Sequence, residues 1–159
     1  LDIPMRPSWV AAIVAVHVLH LVPDLDGALD QAVASLRPGG RLLVSGIEGD
    51  RLPADEIGAV FGDLDERLRR YPAPTVERLE SAGFALVHDG LMAPLVVQQS
   101  PTEAADQLAA RTWSWCWDIP ADRWRGEVEP VIAALRALPD PDAPRDRRLE
   151  RRFVVLERR

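Results

Sequence analysis

The sequence predicts an α/β fold organised around a strand–helix–strand unit with flanking helices. Three observations predict it. VAAIVAVH, Val10 to His17, is a continuous apolar run without period-2 alternation, as expected of a strand buried on both faces of a parallel sheet. Leu25, Leu29, Ala32, Val33 and Leu36 then recur at three- and four-residue spacing, which makes one apolar helix face. Finally, SLRPGGRLLVSG, Ser35 to Gly46, breaks that helix and passes directly into a second apolar run.

Each element has a local cause. Val22-Pro23-Asp24 ends the first strand, and Asp24 or Asp26 can cap the helix by accepting from its orphan N–H groups. Pro38 cannot supply a helical N–H and restricts Arg37 before it. Gly39 and Gly40 take positive φ cheaply, so the chain is expected to reverse there and run back as a strand over Arg41 to Ser45. Strand, helix and strand make a right-handed crossover between parallel neighbours. Further along, the pattern predicts helices over 54–70 and 75–82, the latter stopped by Gly83, and a third strand over 84–88. Residues 95–98 extend that strand or form a separate edge strand. Helices are expected over 101–111 and 121–138, with Pro130 as a kink or break. A proline- and aspartate-rich loop at 139–144 precedes a last strand, RFVVLE, over 152–157.

Composition bounds the function. The chain has 159 residues and a net charge of -6, which argues against a nucleic-acid binder. All 19 basic residues are arginine; the absence of lysine excludes Schiff-base catalysis and a lysine-bearing phosphate loop. Cys116 is the one cysteine, so no internal disulfide framework exists and nothing argues for secretion. The three histidines are scattered and do not make a zinc site. WVAAIVAVHVLHLV, the most apolar stretch, has 14 residues and two histidines. That is too short to span a bilayer, and it lacks the flanks of a signal peptide. A cytoplasmic location is therefore expected.

Three segments resemble class I S-adenosylmethionine-dependent methyltransferases of the broad type 11 kind. AVHVLHLVPDLDGALDQAVASLRPGGRLLVSG is similar to that family's fourth strand, following helix and fifth strand, with the leucine-arginine-proline-glycine-glycine turn between. RLESAGFALV resembles the helix before the sixth strand. ARTWSWCWDIP resembles an arginine-threonine-x-serine segment that covers the substrate pocket in some members. Val10 and Ala11 stand where the family usually has phenylalanine-aspartate, and LDIP, Leu1 to Pro4, matches the end of a leucine-proline segment after its third strand.

The resemblance implies a partial Rossmann-like methyltransferase sheet, the fourth to seventh strands, with flanking helices and a small helical cap. It implies one partial methyltransferase domain over 1–159. Within it, 1–50 is a strand–helix–strand core, 51–100 helices and a later strand, 101–144 a helical cap, and 145–159 a terminal strand. It places the first strand, the glycine-rich loop and the ribose-gripping acid before Leu1, so that the chain reads as a fragment. No substitute loop is encoded, since the ten glycines never form G-x-G-x-G. Open α/β sheets bind ligands at strand carboxyl ends where the strand order reverses. The chain is expected to supply one wall of that crevice, His17 to Pro23 and Ser45 to Gly49.

The implied activity is methyl transfer from S-adenosylmethionine to a small-molecule acceptor, without nucleic acid or membrane. By resemblance, Val16, His17 and Val18 pass close to the cofactor's sulfonium. His17 and His20 can orient the acceptor or take its proton, because imidazole ordinarily titrates near neutrality; equally, both can simply hydrogen-bond backbone. Arg111 is a candidate substrate contact, or a salt-bridge partner of Asp118 or Asp122. Trp113, Trp115 and Trp117 form either an aromatic wall over the acceptor, with cation–π attraction to a sulfonium as a variant, or a packed cap core. Cys116 reads as an inert buried thiol. Asp63, Asp65 and Glu66 pair with Arg67, Arg69 and Arg70 or, less simply, hold a metal. The arginine-rich C-terminus reads as the solvated end of an edge strand rather than a nucleic-acid patch.

Two other readings stay open: a non-catalytic remnant or interaction module, and a nicotinamide oxidoreductase, for which no dinucleotide fingerprint exists. The uncharged, apolar edge of Val10 to His17 also predicts that the lone chain self-associates, aggregates or is marginally stable, whereas a complete domain would not.

Overall fold

The computed structural model describes residues 7–47 and 55–159. Along the chain run β1 (Val10–Val16), a 3₁₀ turn (Leu19–Leu21), α1 (Leu25–Ser35), β2 (Leu36–Ser45), α2 (Glu56–Phe61), α3 (Leu64–Leu68), α4 (Val76–Ser81) and β3 (Phe84–Leu91). Then come β4 (Leu95–Gln99), α5 (Pro101–Ala109), a 3₁₀ turn (Ser114–Cys116), α6 (Ala121–Arg123), a π-helical turn (Trp124–Val128), α7 (Glu129–Arg136), β5 (Arg145–Leu149) and β6 (Arg152–Arg158). The described residues form two compact units. The first takes 7–47, 71–93 and 151–159, and the second 55–70 and 94–150.

The first unit is a four-stranded sheet in the order β1-β2-β6-β3. β1 and β2 are parallel, and β6 runs antiparallel to both β2 and β3. The α/β class and the parallel crossover predicted by the sequence are thus present. Asp24 caps α1 by accepting from the Gly27 N–H at 3.0 Å. The helix buries Leu25, Leu29 and Ala32, which join Leu36, Leu42, Val44, Leu79, Phe84, Val154 and Leu156 in one core. Full burial of each such leucine or phenylalanine contributes roughly 1.5–3 kcal/mol.

Two expectations are corrected here. β2 does not begin at Arg41 after a reversal; it begins at Leu36, which pairs with Val10. The next register pair is Ala12 with Arg41, so Arg37 to Gly40 bulge out opposite Ala11. Pro38 has no N–H for a ladder, and Gly39 at φ +69° supplies the bend. Second, β6 is an interior strand, not an edge. Val154 and Leu156 are fully buried, and its flanking arginines are partnered. Arg152 pairs with Asp89 at 2.6 Å, Arg158 donates to Ser8 Oγ and the Leu36 carbonyl, and Arg159 lies 3.9 Å from Glu80.

The second unit packs helices around Ile57, Phe61, Leu64, Leu68, Leu108, Val128 and Leu135, beside the antiparallel β4–β5 pair. Residues 95–99 therefore make a separate strand. The helix expected over 54–70 is two helices, because Gly62 at φ +53° breaks it; its first residue lies outside the described residues. A capping box starts α5: Ser100 Oγ accepts from the Glu103 N–H at 3.1 Å, and Glu103 accepts from the Ser100 N–H at 2.8 Å. Pro130 is accommodated by the π-helical turn before it, in which the Glu129 N–H donates to the Trp124 carbonyl.

Candidate functional site

The carboxyl ends of β1 and β2 meet in the first unit. β1 stops at His17, which sits at φ +47°, a left-handed conformation uncommon for a non-glycine residue although histidine tolerates it better than most. Its N–H donates to the Ser45 carbonyl at 3.0 Å, and its side chain is exposed. Gly46, at φ +80°, packs directly on it. A Cβ at position 46 would lie 2.8 Å from His17 Nδ1 and 3.0 Å from His17 Cα. Glycine is what lets the two strand ends close together. Val16 and Val18 flank this point with exposed side chains, and His20 lies half-buried in the 3₁₀ turn that follows. Ser45 and Ile47 are buried. The rest of the expected crevice wall, 48–49, and LDIP at 1–4 lie outside the described residues. Gly46 carried a signal in the sequence, as a glycine closing the second apolar run.

Arg111, Trp113, Trp115 and Trp117 cluster in the second unit. Arg111 is also left-handed, at φ +53°. Its guanidinium donates to the Cys116 carbonyl at 2.7 Å and lies 3.8 Å from the Trp124 ring centroid. The expected salt bridge to Asp118 or Asp122 is replaced by these contacts, and Asp118 pairs with Arg70 at 3.2 Å. The cation–π contact therefore belongs to Arg111 and Trp124. Trp113 and Trp115 stack at 6.1 Å and 7°, Phe61 meets Trp113 edge-on at 5.6 Å, and both tryptophans pack against the core. Trp117 differs: it is 62% exposed, with its indole N–H donating to the Arg111 carbonyl at 3.1 Å. Burial pushes the Cys116 thiol up to about 12, so it is not a nucleophile at neutral pH.

The acidic cluster is structural. Arg67 reaches Asp63 at 2.8 Å and Glu127 at 2.7 Å, and Arg69 reaches Asp65 at 2.6 Å. Hydrogen bonds from Arg67 hold Asp63 below the usual carboxylate range, and those from Arg123 and Arg67 do the same for Glu127. Among the described residues no group of histidine, cysteine and carboxylate side chains could hold a metal, and no helix is long and apolar enough to cross a membrane. A hollow lined by Asp55, Glu56, Arg145 and Arg147 also lies in this unit. Arg147 pairs with Asp55 at 2.9 Å and Arg145 approaches Glu56 at 2.5 Å, but the buried Arg145 Nη1 makes no hydrogen bond there. No local pattern marks the Arg147 pairing, since Asp55 and Arg147 lie 92 residues apart.

No protein-family model and no curated protein matches the sequence. Solved structures do resemble the fold. A candidate methyltransferase from Bacillus halodurans superposes with a TM-score of 0.53 at 15% identity, over 98% of this chain and 67% of that one. The YcgJ protein of Bacillus subtilis gives 0.52 at 16% identity, over 99% of this chain and 68% of that one. The chain thus spans about two thirds of their length. The likeness is one of fold: this is an α/β architecture of the kind found in a methyltransferase.

Proposed function

We propose that the chain takes part in S-adenosylmethionine-dependent methyl transfer to a small-molecule acceptor, and that the β1 and β2 carboxyl ends form one wall of the reaction site. The observation that carries this reading is the strand-end junction: a left-handed, exposed His17 held against Gly46, with no room for a Cβ between them. Sparsely populated backbone conformations tend to persist where function requires them, and strand carboxyl ends are where open α/β sheets bind ligands. The residues present fit one side of a cofactor site, through the Val16–His17–Val18 segment and the Gly46 bend. They do not include a glycine-rich loop or a ribose-gripping acid, so they do not make a whole site.

S-adenosylmethionine, when bound, supplies an electrophilic methyl carbon on a sulfonium. This chain's own residues position the reactants. Val16 and Val18 offer the reactants an exposed apolar surface, and the His17 or His20 imidazole orients the acceptor or accepts its proton. Alignment alone can carry much of the acceleration of a direct displacement. Within the second unit, the exposed Trp117 beside Arg111 is proposed separately as a contact for an apolar or cationic small molecule, with Trp113 and Trp115 supporting it from the core.

Transfer of labelled methyl from S-adenosylmethionine to a small-molecule acceptor pool, by the gene product that contains this chain, tests the reading. Turnover above background is expected. If an imidazole acts as base, His17→Ala or His20→Ala loses roughly 10²–10⁴-fold in turnover at unchanged cofactor affinity. No transfer to any acceptor would contradict the reading. It would favour the second one, a non-catalytic interaction module, which the exposed apolar Val14 and Val16 of β1 support.

A further inference from the structure

We propose that the hollow between the start of α2 and β5 is a binding site for a small monocarboxylate, which takes Arg145 in place of the Glu56 side chain. The hollow has a volume of about 340 Å³ and is lined by Asp55, Glu56, Ile57, Arg145, Asp146 and Arg147, all within the second unit. Alternate residues of a strand share a face, so β5 sets Arg145 and Arg147 side by side. Their surroundings differ. Arg147 is buried and fully occupied. Its Nε and Nη2 donate to Asp55 at 2.9 and 3.2 Å, and its Nη1 donates to Gln99 Oε1 at 2.5 Å. Asp55 is occupied as well, because it also accepts from the Gly58 N–H at 2.6 Å.

Arg145 is not. Its Nη2 donates to the Pro139 carbonyl, but its Nη1 is buried without a hydrogen bond, although Glu56 Oε1 lies 2.5 Å away. The glutamate supplies charge there without the alignment of a hydrogen bond. Buried donors in native proteins nearly always have an acceptor, and an exception points to a group that fills the place.

Three features select the occupant. First, the Glu56 side chain is 49% exposed, so it can turn out to water, whereas Asp55 is held by three hydrogen bonds. Second, with Glu56 turned out, Arg145 has no carboxylate partner among the described residues; Asp146 already accepts from Gln98. One negative charge is then missing, and the planar guanidinium fork matches a carboxylate. A doubly charged phosphate would overfill that place beside Asp146. Third, a bridging water takes about 30 Å³ and would leave most of the hollow unfilled, whereas its volume lies in the range of small-ligand sites, roughly 300–1,000 Å³. Glu56 is thus an internal competitor. It covers Arg145 when the hollow is empty and yields to a carboxylate that meets Nη1 in line. This site does not rest on the methyl-transfer reading.

NMR titration of the whole chain with sodium propionate, at constant ionic strength, tests the proposal without reference to activity. Propionate is expected to shift the Arg145 Nε–Hε resonance and the Glu56 and Ile57 amides, with a Kd of about the millimolar range. Propionamide, its neutral isostere, and inorganic phosphate should leave them fixed at the same concentration. Glu56→Gln keeps the side-chain size and removes the competing charge. It should tighten propionate about two- to fivefold, the reach of a partly exposed charge pair, and misfolding cannot imitate such a gain. Arg145→Gln should abolish the shifts while thermal unfolding stays cooperative. If that variant unfolds, Arg145→Lys, which keeps the charge but not the fork, should bind more weakly than wild type. No shift at about 50 mM propionate, well above the expected Kd, overturns the proposal and leaves the hollow to water. So does unchanged or weaker binding in Glu56→Gln, or undiminished binding in the Arg145 variants. An equal response to phosphate or propionamide overturns the carboxylate assignment.

Discussion

Replacing Gly46 with alanine is expected to destabilise the chain well beyond the cost of its backbone angle. Two terms contribute. At φ +80° an L-residue pays about 1–2 kcal/mol, reduced by about 0.4–1 kcal/mol because alanine also restricts the unfolded chain. The new Cβ would then sit 2.8 Å from His17 Nδ1 and 3.0 Å from His17 Cα. The ring can turn away; the Cα cannot move without parting the β1 and β2 ends. Overpacking of this kind costs about 1–3 kcal/mol, for a sum of about 3 kcal/mol. Gly39 is the control, since it has φ +69° in the same unit with nothing within 4 Å of its Cβ position. Gly39→Ala should therefore lose only about 1 kcal/mol or less. Urea unfolding followed by far-ultraviolet circular dichroism, with unchanged m-values, gives both. Equal losses for the two variants would refute the close packing of Gly46 on His17.

Three further outcomes follow. Asp55 both caps α2, accepting from the Gly58 N–H at 2.6 Å, and neutralises Arg147, whose side chain is 8% exposed against 25% for Asp55. Asp55→Ala should thus cost about 3 kcal/mol and Arg147→Leu clearly less, because a freed Asp55 can still reach water; thermal or urea unfolding that shows the reverse order would count against the pairing. Asp63 and Glu127 titrate below the usual carboxylate range because Arg67 and Arg123 bond them. Their stabilising effect is present above the unfolded carboxylate pKa of about 4 and is lost as pH falls through the lower folded values. The Asp63→Asn, Glu127→Gln double variant should show a flatter acid limb in an unfolding-versus-pH series, and an identical limb would exclude the effect. Cys116, with its thiol pushed up to about 12, should resist iodoacetamide at pH 8 in the native state and react only on unfolding.

Legibility in the sequence tracked the range of the cause. The β1–α1–β2 unit was readable because an apolar run, an amphipathic helix and the Asp24 cap are all local signals. β5 was readable only as part of one terminal strand over 145–159, because RDRRL carries a single apolar residue and no local signal parts it from β6; it pairs instead with β4 in a separate sheet and makes ion pairs to Asp55 and Glu56. The bulge at Arg37 to Gly40 was visible as a break but not as part of a strand, since that depends on Leu36 meeting Val10. At the candidate site, His17 was legible as a polar residue closing an apolar strand. Its left-handed backbone and its contact with Gly46 were not, because they arise only when two strand ends 29 residues apart in sequence come together. Arg111 was legible as a charge among tryptophans, whereas its seat over Trp124 depends on a π-helical turn that side-chain periodicity does not announce.

The measurement that reaches the central claim most directly is a backbone NMR titration of the chain with S-adenosylhomocysteine, a ligand with the cofactor's adenosine and amino-acid parts but no transferable methyl. One wall without its glycine-rich loop should bind weakly. Fast-exchange shifts are expected that need about millimolar ligand and are confined to Val16, His17 and Val18 together with Ser45, Gly46 and Ile47. Shifts centred instead on Asp55, Arg145 and Arg147, or none at any of these amides, would contradict the assignment of the β1 and β2 carboxyl ends as the cofactor wall. Micromolar affinity would contradict the reading of that wall as one side of a site.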